Sequence, residues 1–191
     1  MTGLLLLAAV ALDPNAGVWK AAPPTTVALH RTPPLYSTDP PAALEIAAVE
    51  VKLLREGGKT MARLEWRDAS AEKTAGAPDG FADGVALMVP AKPVTGDLNP
   101  SLQMGDAAHP VLIYYYDAAR GAALMEAAGR GTTRRTKEKF PAQAAYEGGK
   151  WVVTMELPEL APGAPYSLAV WNGRQQDRDG RKYFSIWQRT P

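Results

Sequence analysis

Two segments of the chain place a soft or basic donor atom beside aromatic residues. The first begins at Met104-Gly105-Asp106 and continues into the apolar run of residues 111–116. The second runs from Trp171-Asn172-Gly173 to Trp187 and contains Lys182. Methionine sulfur is a known axial ligand of haem iron, and a lysine that has lost its proton offers a nitrogen donor. The two segments together suggest a haem site, with Met104 and Lys182 as candidate axial ligands.

The chain has no cysteine. A cysteine-ligated iron–sulfur cluster, a cysteine-rich zinc site and a thiol nucleophile are therefore excluded, as is the C-x-x-C-H attachment of c-type haem. Any haem has to be held by packing and axial bonds alone. The sequence also lacks the G-x-S-x-G, H-E-x-x-H and phosphate-loop motifs, so we expect the chain to have no catalytic activity of its own.

Each candidate ligand has an ordinary alternative role. The Met104 thioether would favour ferrous iron and raise its reduction potential, but methionines also fill gaps in cores. Removing the proton from a free lysine at pH 7 costs about 4.6 kcal/mol, because its pKa is about 10.4. Desolvation among Tyr183, Phe184 and Ile186, together with coordination, would have to exceed that cost at Lys182. The alternative is a solvated lysine after an Asp-Gly turn.

The other residues near these segments also allow two interpretations. His30 and His109 are rival ligands, because imidazole is the commonest axial donor to haem. His109 follows Met104 by only five residues, which is too close to reach the opposite porphyrin face easily. The residues expected to line an apolar slot, or to form plain core instead, are Val111, Ile113, Tyr115, Trp171 and Trp187.

Two charged groups have no single interpretation. The basic group consists of Arg130, Arg134, Arg135, Lys137 and Lys139. It is expected to be a solvated loop, with docking to an acidic partner or one arginine contact to a haem propionate as alternatives. Asp177 and Asp179 suggest either calcium ligands or simple turn residues, and they lack EF-hand spacing.

Composition favours a single all-β domain. Apolar residues make up 46% of the chain and charged residues 21%, with 17 prolines and 17 glycines. The net charge of +1 gives no field that would attract nucleic acid or anionic lipid. Short strands are predicted at 46–54, 60–66, 85–89, 111–116, 150–157, 166–171 and 182–188, and a short helix at 118–128. This pattern predicts a β-sandwich, immunoglobulin-like or CBM9-like, with one or two short helices.

The N-terminal part differs from the rest. Residues 1–12 include an apolar run with a small-x-small pattern, which indicates an incomplete signal peptide and hence export; the alternative is a buried strand or helix. The run is too short to cross a bilayer as a helix. Residues 13–42 form a proline-rich extended lead with an edge strand at 27–30, and residues 43–191 form the sandwich domain.

Several ordered pieces of the chain resemble one family. They are Leu64-Glu65-Trp66-Arg67-Asp68, Phe81-Ala82-Asp83-Gly84-Val85-Ala86, Met104-Gly105-Asp106 with Pro110, and Ala169-Val170-Trp171-Asn172-Gly173 with Lys182 and Trp187. Their order and spacing are similar to those of the γ subunits of ethylbenzene dehydrogenase, dimethylsulfide dehydrogenase, selenate reductase and chlorate reductase. The similarity extends from about residue 43 to residue 189.

The resemblance implies a non-catalytic, cytochrome b-type electron-transfer subunit. It implies one haem b ligated by Met104 and Lys182, and a periplasmic complex with a molybdopterin catalytic subunit and an iron–sulfur subunit. A soluble c-type cytochrome is the expected exchange partner, with no nucleic acid and no membrane span. The rival hypothesis is a haem-free carbohydrate-binding module. In that case the side chains that would stack on sugar rings are Trp66, Trp151, Trp171 and Tyr114.

Overall fold

The structure is a computed structural model that describes residues 10–33, 44–75, 80–94 and 98–191. The strands in these residues are β1 (Thr25–Ala28), β2 (His30–Arg31), β3 (Ala48–Glu56), β4 (Lys59–Arg67), β5 (Gly84–Pro90), β6 (Val111–Asp117), β7 (Gly121–Ala127), β8 (Arg134–Arg135), β9 (Ala142–Glu147), β10 (Lys150–Pro158), β11 (Pro165–Trp171), β12 (Tyr183–Phe184) and β13 (Gln188–Arg189). Two short 3₁₀ helices, Gly17–Lys20 and Gly173–Gln175, are also present.

Within the described residues the strands form two antiparallel sheets. The five-stranded sheet has the order β1-β3-β4-β10-β9. The eight-stranded sheet has the order β2-β12-β11-β5-β6-β7-β8, and β13 pairs with β11 outside this path. The all-β sandwich predicted from the sequence is confirmed. Among these residues, no helix has the length and apolar character needed to cross a membrane.

One continuous core joins the two sheets. Alternate residues of β3, β4 and β10 meet alternate residues of β5 and β11, as expected for strands with one buried face. The fully buried members include Val49, Val51, Leu64, Val153, Met155, Val85, Leu87, Leu168 and Val170. We call the face of the eight-stranded sheet that contacts this core its inner face, and the opposite one its outer face.

The predicted hairpin of residues 46–66 is confirmed as β3 and β4. Its turn is Gly57-Gly58, where both residues have positive φ, 61° and 77°, which side chains disfavour. Glu56 pairs with Lys59, and the ladder continues to Glu50 opposite Glu65. The glycine pair therefore sets the register that brings the apolar side chains of both strands to the core.

The predicted helix at 118–128 is wrong, because this segment is strand β7. The Asp117 carboxylate accepts hydrogen bonds from the N–H groups of Ala119 and Arg120, at 2.8 and 2.9 Å, and closes a tight turn. Gly121 then enters the strand with a φ of 76°. β7 pairs with β6 along its whole length. Cross-strand pairing and burial outweigh the helix propensity of the alanines.

The predicted strand at 182–188 is two strands with a break between them. Tyr183–Phe184 pairs with β11 and with β2, and Gln188–Arg189 pairs with the start of β11. At the break, Trp187 turns away from the ladder and donates a hydrogen bond to the Pro100 carbonyl at 2.7 Å. A contact distant in sequence therefore interrupts the strand.

The lead crosses from one sheet to the other. β1 forms the edge of the five-stranded sheet, and the predicted edge strand at 27–30 divides at Leu29, after which β2 joins the eight-stranded sheet. Residues 1–9 of the predicted signal-like segment lie outside the described residues, as do residues 34–43 of the lead. Ala11 packs with Trp19, Ala22 and Met61.

Candidate functional site

The outer face of the eight-stranded sheet carries a second apolar cluster, separate from the core. Its buried members are Ala86, Met88, Val111, Ile113 and Ala127, and the partly buried residues packed against them are Met104, Tyr115, Met125, Ala169, Trp171 and Trp187. We call these eleven residues the outer cluster. All five predicted lining residues and the predicted sulfur ligand belong to it.

The strand register explains why these residues share a face. Residues directly opposite each other in an antiparallel sheet point to the same side. Two cross-strand rows therefore lie on the outer face: Ser167, Met88, Ile113, Met125 and Arg135 in one, and His30, Phe184, Ala169, Ala86, Tyr115 and Ala123 in the other. The middle of the second row contains Ala169 and Ala86, so the sheet surface there is apolar and carries only short side chains. We call this surface, formed by the two rows, the floor of the site.

Gly84, which pairs with Trp171, leaves room for an aromatic ring at this end of the floor. A Cβ on Gly84 would lie 3.0 Å from the Tyr115 Oη and 3.1 Å from the Tyr116 carbonyl oxygen. The Tyr115 ring can therefore lie close to the backbone of β5, where it meets the Trp171 ring edge-to-face at 5.2 Å.

Met104 lies on a tightly held loop at the Val111 end of the floor. Its own φ is 72°, which is unusual for a residue with a side chain. Gly105 also has a φ of 72°, and a Cβ there would lie 2.6 Å from the His109 carbonyl oxygen. The Met104 carbonyl accepts a hydrogen bond from Gly129 N–H at 2.9 Å. Strained residues of this kind cluster at functional sites, because other contacts must hold them in place.

Lys182 lies at the other end of the floor, beside Trp171. Its Nζ is 5.3 Å from the centre of the Trp171 ring. Burial lowers the pKa of Lys182, and the charge of Asp179 opposes that shift. No carboxylate among the described residues forms an ion pair with this amine. A desolvated lysine without a paired acid is closer to losing its proton than an ordinary surface lysine.

The backbone of Lys182 is fixed by the lead. Lys182 N–H donates to the Thr32 hydroxyl at 3.0 Å, and Thr32 N–H donates to the Lys182 carbonyl at 3.0 Å. Beside them, both terminal nitrogens of Arg31 donate to the two carboxylate oxygens of Asp177. Asp177 is fully buried and also accepts from Asn172 N–H at 3.1 Å. Sequence reasoning missed Arg31 and Thr32, which lie about 150 residues from their partners.

The two histidines lie at the margins of the outer face and, in the described part of the chain, are not part of a larger group of metal-binding side chains. His30 is exposed at the edge of the sheet, next to the Phe184 ring at 5.9 Å. His109 contacts Asp106 through Nδ1 at 3.2 Å within the Met104 loop. Asp177 is engaged by Arg31, which leaves little for a calcium ion. In the described residues, no group of three or more His, Asp or Glu side chains is arranged to hold a metal ion.

Most of the side chains that a sugar-binding site would need are buried. Trp66, Trp151 and Tyr114 are only 2–3% exposed and pack in the core between the sheets. Trp66 and Trp151 stack on each other with ring centres 6.2 Å apart. Of the four aromatic residues considered for sugar stacking, Trp171 alone is partly exposed. The four therefore cannot form one platform for a sugar.

The resemblance motifs around Asp68 and Asp83 form a polar end of the core instead of a ligand site. The Asp83 carboxylate accepts from Trp151 Nε1 at 2.9 Å, from Gly173 N–H at 2.8 Å and from Glu72 N–H at 2.8 Å. Burial raises its pKa. Burial, followed by the charge of Asp83, raises the pKa of Asp68 to about 7. Asp83 therefore ties both sheets to the segment that leads to Lys182.

The sandwich and its outer cluster define a class: a β-sandwich with an apolar, thioether- and amine-flanked surface site. No protein-family model matches the chain. It is 30% identical over 194 residues to the chlorate reductase subunit gamma of Ideonella dechloratans, an alignment that covers 93% of this chain and 79% of that protein. The chain therefore belongs to the family of oxidoreductase γ subunits that includes this chlorate reductase subunit.

Two further relatives and one solved structure are similar. The dimethylsulfide dehydrogenase subunit gamma of Rhodovulum sulfidophilum is 26% identical over 199 residues, 91% of this chain and 72% of that protein. A protein of Haloferax mediterranei provisionally named a respiratory nitrate reductase haem subunit is 28% identical over 191 residues, 94% of this chain and 67% of that protein. A family 9 carbohydrate-binding module from Caldicellulosiruptor kristjanssonii in complex with glucose has a TM-score of 0.49 at 11% identity, covering 88% of this chain and 75% of that one.

Proposed function

We propose that the chain is an electron-transfer subunit that holds one haem b on its outer sheet face and does no substrate chemistry itself. The observation that carries this proposal is the outer cluster, with a strained methionine at one end and a desolvated lysine at the other. The name of the Haloferax mediterranei relative, a haem subunit, supports the same cofactor.

The donor set fits a haem. The thioether of Met104 and the uncharged amine of Lys182 would both be suitable donors to haem iron, and the apolar floor would suit a porphyrin. When bound, the haem supplies a carrier that accepts and releases one electron. Met104 and Lys182 would be its axial ligands. The lining residues would be Val111, Ile113, Tyr115, Trp171 and Trp187.

Neighbouring residues exclude water from the Lys182 amine and fix the backbones of Lys182 and Met104. Trp171 and the surrounding apolar groups exclude water from the Lys182 amine, which favours its uncharged form. Thr32 fixes the Lys182 backbone, and the Gly105 turn fixes that of Met104. With both donors engaged, no position is left for a substrate or for oxygen. The site is therefore suited to electron transfer and not to catalysis.

The partners follow from the family. We propose a periplasmic complex with a molybdopterin catalytic subunit and an iron–sulfur subunit, and a soluble c-type cytochrome as the exchange partner. The chlorate reductase and dimethylsulfide dehydrogenase relatives are themselves named as subunits, which supports a multi-subunit complex.

Reconstitution of the full chain with haem b tests the proposal. We expect a Soret band, a haem b pyridine haemochrome, and low-spin spectra that change on Met104→Ala and on Lys182→Ala. Met61→Ala and Lys150→Ala are the matched controls, because Met61 packs with Trp19 and Ala22 away from the outer cluster and Lys150 pairs with Glu65. A wild-type chain that takes up no haem, or Met104 and Lys182 variants with unchanged spectra, would refute the assignment.

A further inference from the structure

One arginine of the basic group lies on the same sheet face as the outer cluster. Arg135 pairs directly with Met125, which pairs with Ile113, which pairs with Met88. The side chain of Arg135 is therefore at the end of the cross-strand row that crosses the floor. Its Nη2 reaches back along β7 to the Ala122 carbonyl, at 3.5 Å.

This row lies between the two candidate ligands. Met104 packs against the cluster that contains Val111, and a Cβ on Gly105 would lie 3.2 Å from the Val111 side chain at the start of β6, whereas Lys182 lies over Trp171 at the far end of β11. Since β6 and β11 both pair with β5, the row through Ile113 crosses the floor between these ends. Arg135 is therefore placed at the side of the space that the two ligands flank.

The neighbouring arginine shows the opposite arrangement. Arg134 pairs with Glu126, on the inner face, and its Nε donates to the Glu126 carboxylate at 2.6 Å. Arg135 forms no ion pair with any residue that the structure describes, and it is exposed. A guanidinium that has no ion pair, is exposed and lies next to an apolar floor is suited to bind a carboxylate of a ligand on that floor.

We propose that Arg135 binds a propionate carboxylate of the haem and so positions the cofactor, an inference that rests on the proposed function. A haem has two propionates, which must remain in water or find a cation. At the opposite end of the second row lies His30, whose imidazole is the competing partner. Arg135 is favoured because a guanidinium offers two parallel N–H donors that match the two oxygens of a carboxylate, which an imidazole does not.

The test compares Arg135→Gln with Arg134→Gln and His30→Gln in the haem-loaded full chain. The readouts are the rate of haem loss to excess apomyoglobin and the midpoint potential. We expect Arg135→Gln to lose haem about tenfold faster, because a charge-assisted hydrogen bond is lost. Its midpoint potential should fall, since a nearby positive charge favours the reduced state. Arg135→Lys should restore the potential in large part and haem retention in part.

The outcomes separate the two proposals. Arg134→Gln and His30→Gln should change haem loss by less than about twofold, because neither loses a charge-assisted bond to the cofactor. If wild type binds haem and Arg135→Gln behaves like Arg134→Gln, the propionate assignment is wrong and the proposed function stands. The same conclusion follows if His30→Gln has the larger effect. If wild type binds no haem, both proposals fail.

Discussion

The two faces of the eight-stranded sheet use different side chains for different purposes. On β5, Val85, Leu87 and Val89 point to the inner face, and these three side chains are at most 5% exposed. Ala86 and Met88 alternate with them on the outer face, where, among the described residues, the Met104 loop and Trp187 of the C-terminal segment pack against them. The inner face is packed for stability. The outer face has small floor residues, soft sulfur atoms and strained backbone, which cost stability and indicate a binding surface.

The largest effect is expected at the ion pair of Arg31 and Asp177, which lies beside Lys182. Arg31→Leu would remove both hydrogen bonds that Arg31 makes to the fully buried carboxylate of Asp177 and leave that carboxylate with the exposed Arg181, whose Nε is 3.4 Å away. Breaking a buried pair in this way typically costs about 3–5 kcal/mol. We expect a loss of that size in the free energy of unfolding, measured by urea denaturation, together with weaker haem binding. The exposed pair offers the control: Arg134→Leu, which removes a surface partner of Glu126, should cost under about 1 kcal/mol.

The contacts of Arg31 and Thr32 also show which parts of the structure could not be predicted from the sequence. The hairpin of β3 and β4 could be predicted because its signals, a glycine pair between alternating apolar runs, are local. The alanines of β7 favour a helix locally and therefore predict one, whereas the pairing of β7 with β6 depends on residues outside the local pattern. For the site, the sequence supplied the residue types of both candidate ligands. It could not supply Arg31 and Thr32, because contacts across about 150 residues leave no local pattern.

The second prediction compares adjacent residues on opposite faces. Leu87→Ala should lower the free energy of unfolding by about 2–5 kcal/mol, since it empties a closed core. Met88→Ala, on the partly open outer face, should cost about 1–2 kcal/mol, because water and a flexible neighbour can fill the space. Haem retention should show the reverse order, with Met88→Ala losing the cofactor faster at 25 °C. Equal losses of stability at the two positions would remove the distinction between the faces.

The third prediction concerns the polar end of the inner core. The pKa of Asp68 is raised from 3.8 to about 7, so the folded state binds this proton more tightly than the unfolded state does. Stability should therefore fall as pH rises from about 4 to about 7 and then level off. Asp68→Asn should remove that slope, which is worth about 1–2 kcal/mol over the window. Urea midpoints at pH 4.5, 6 and 8 measure it. An unchanged slope in the variant would assign the pH dependence to other groups.

The smallest expected effect concerns the stability of glycine and alanine variants at two methionines of the outer cluster. The more stable variant should be glycine at one position and alanine at the other. At Met104, with a φ of 72°, glycine should give a more stable haem-free protein than alanine by about 1 kcal/mol, because only glycine adopts this conformation without strain. At Met125, in the regular strand β7, alanine should be the better by about 0.5–1 kcal/mol. Thermal or urea unfolding of the four variants measures both differences. The same preference at both positions would mean that the Met104 loop relaxes in solution, and that the sulfur is not held by a strained backbone.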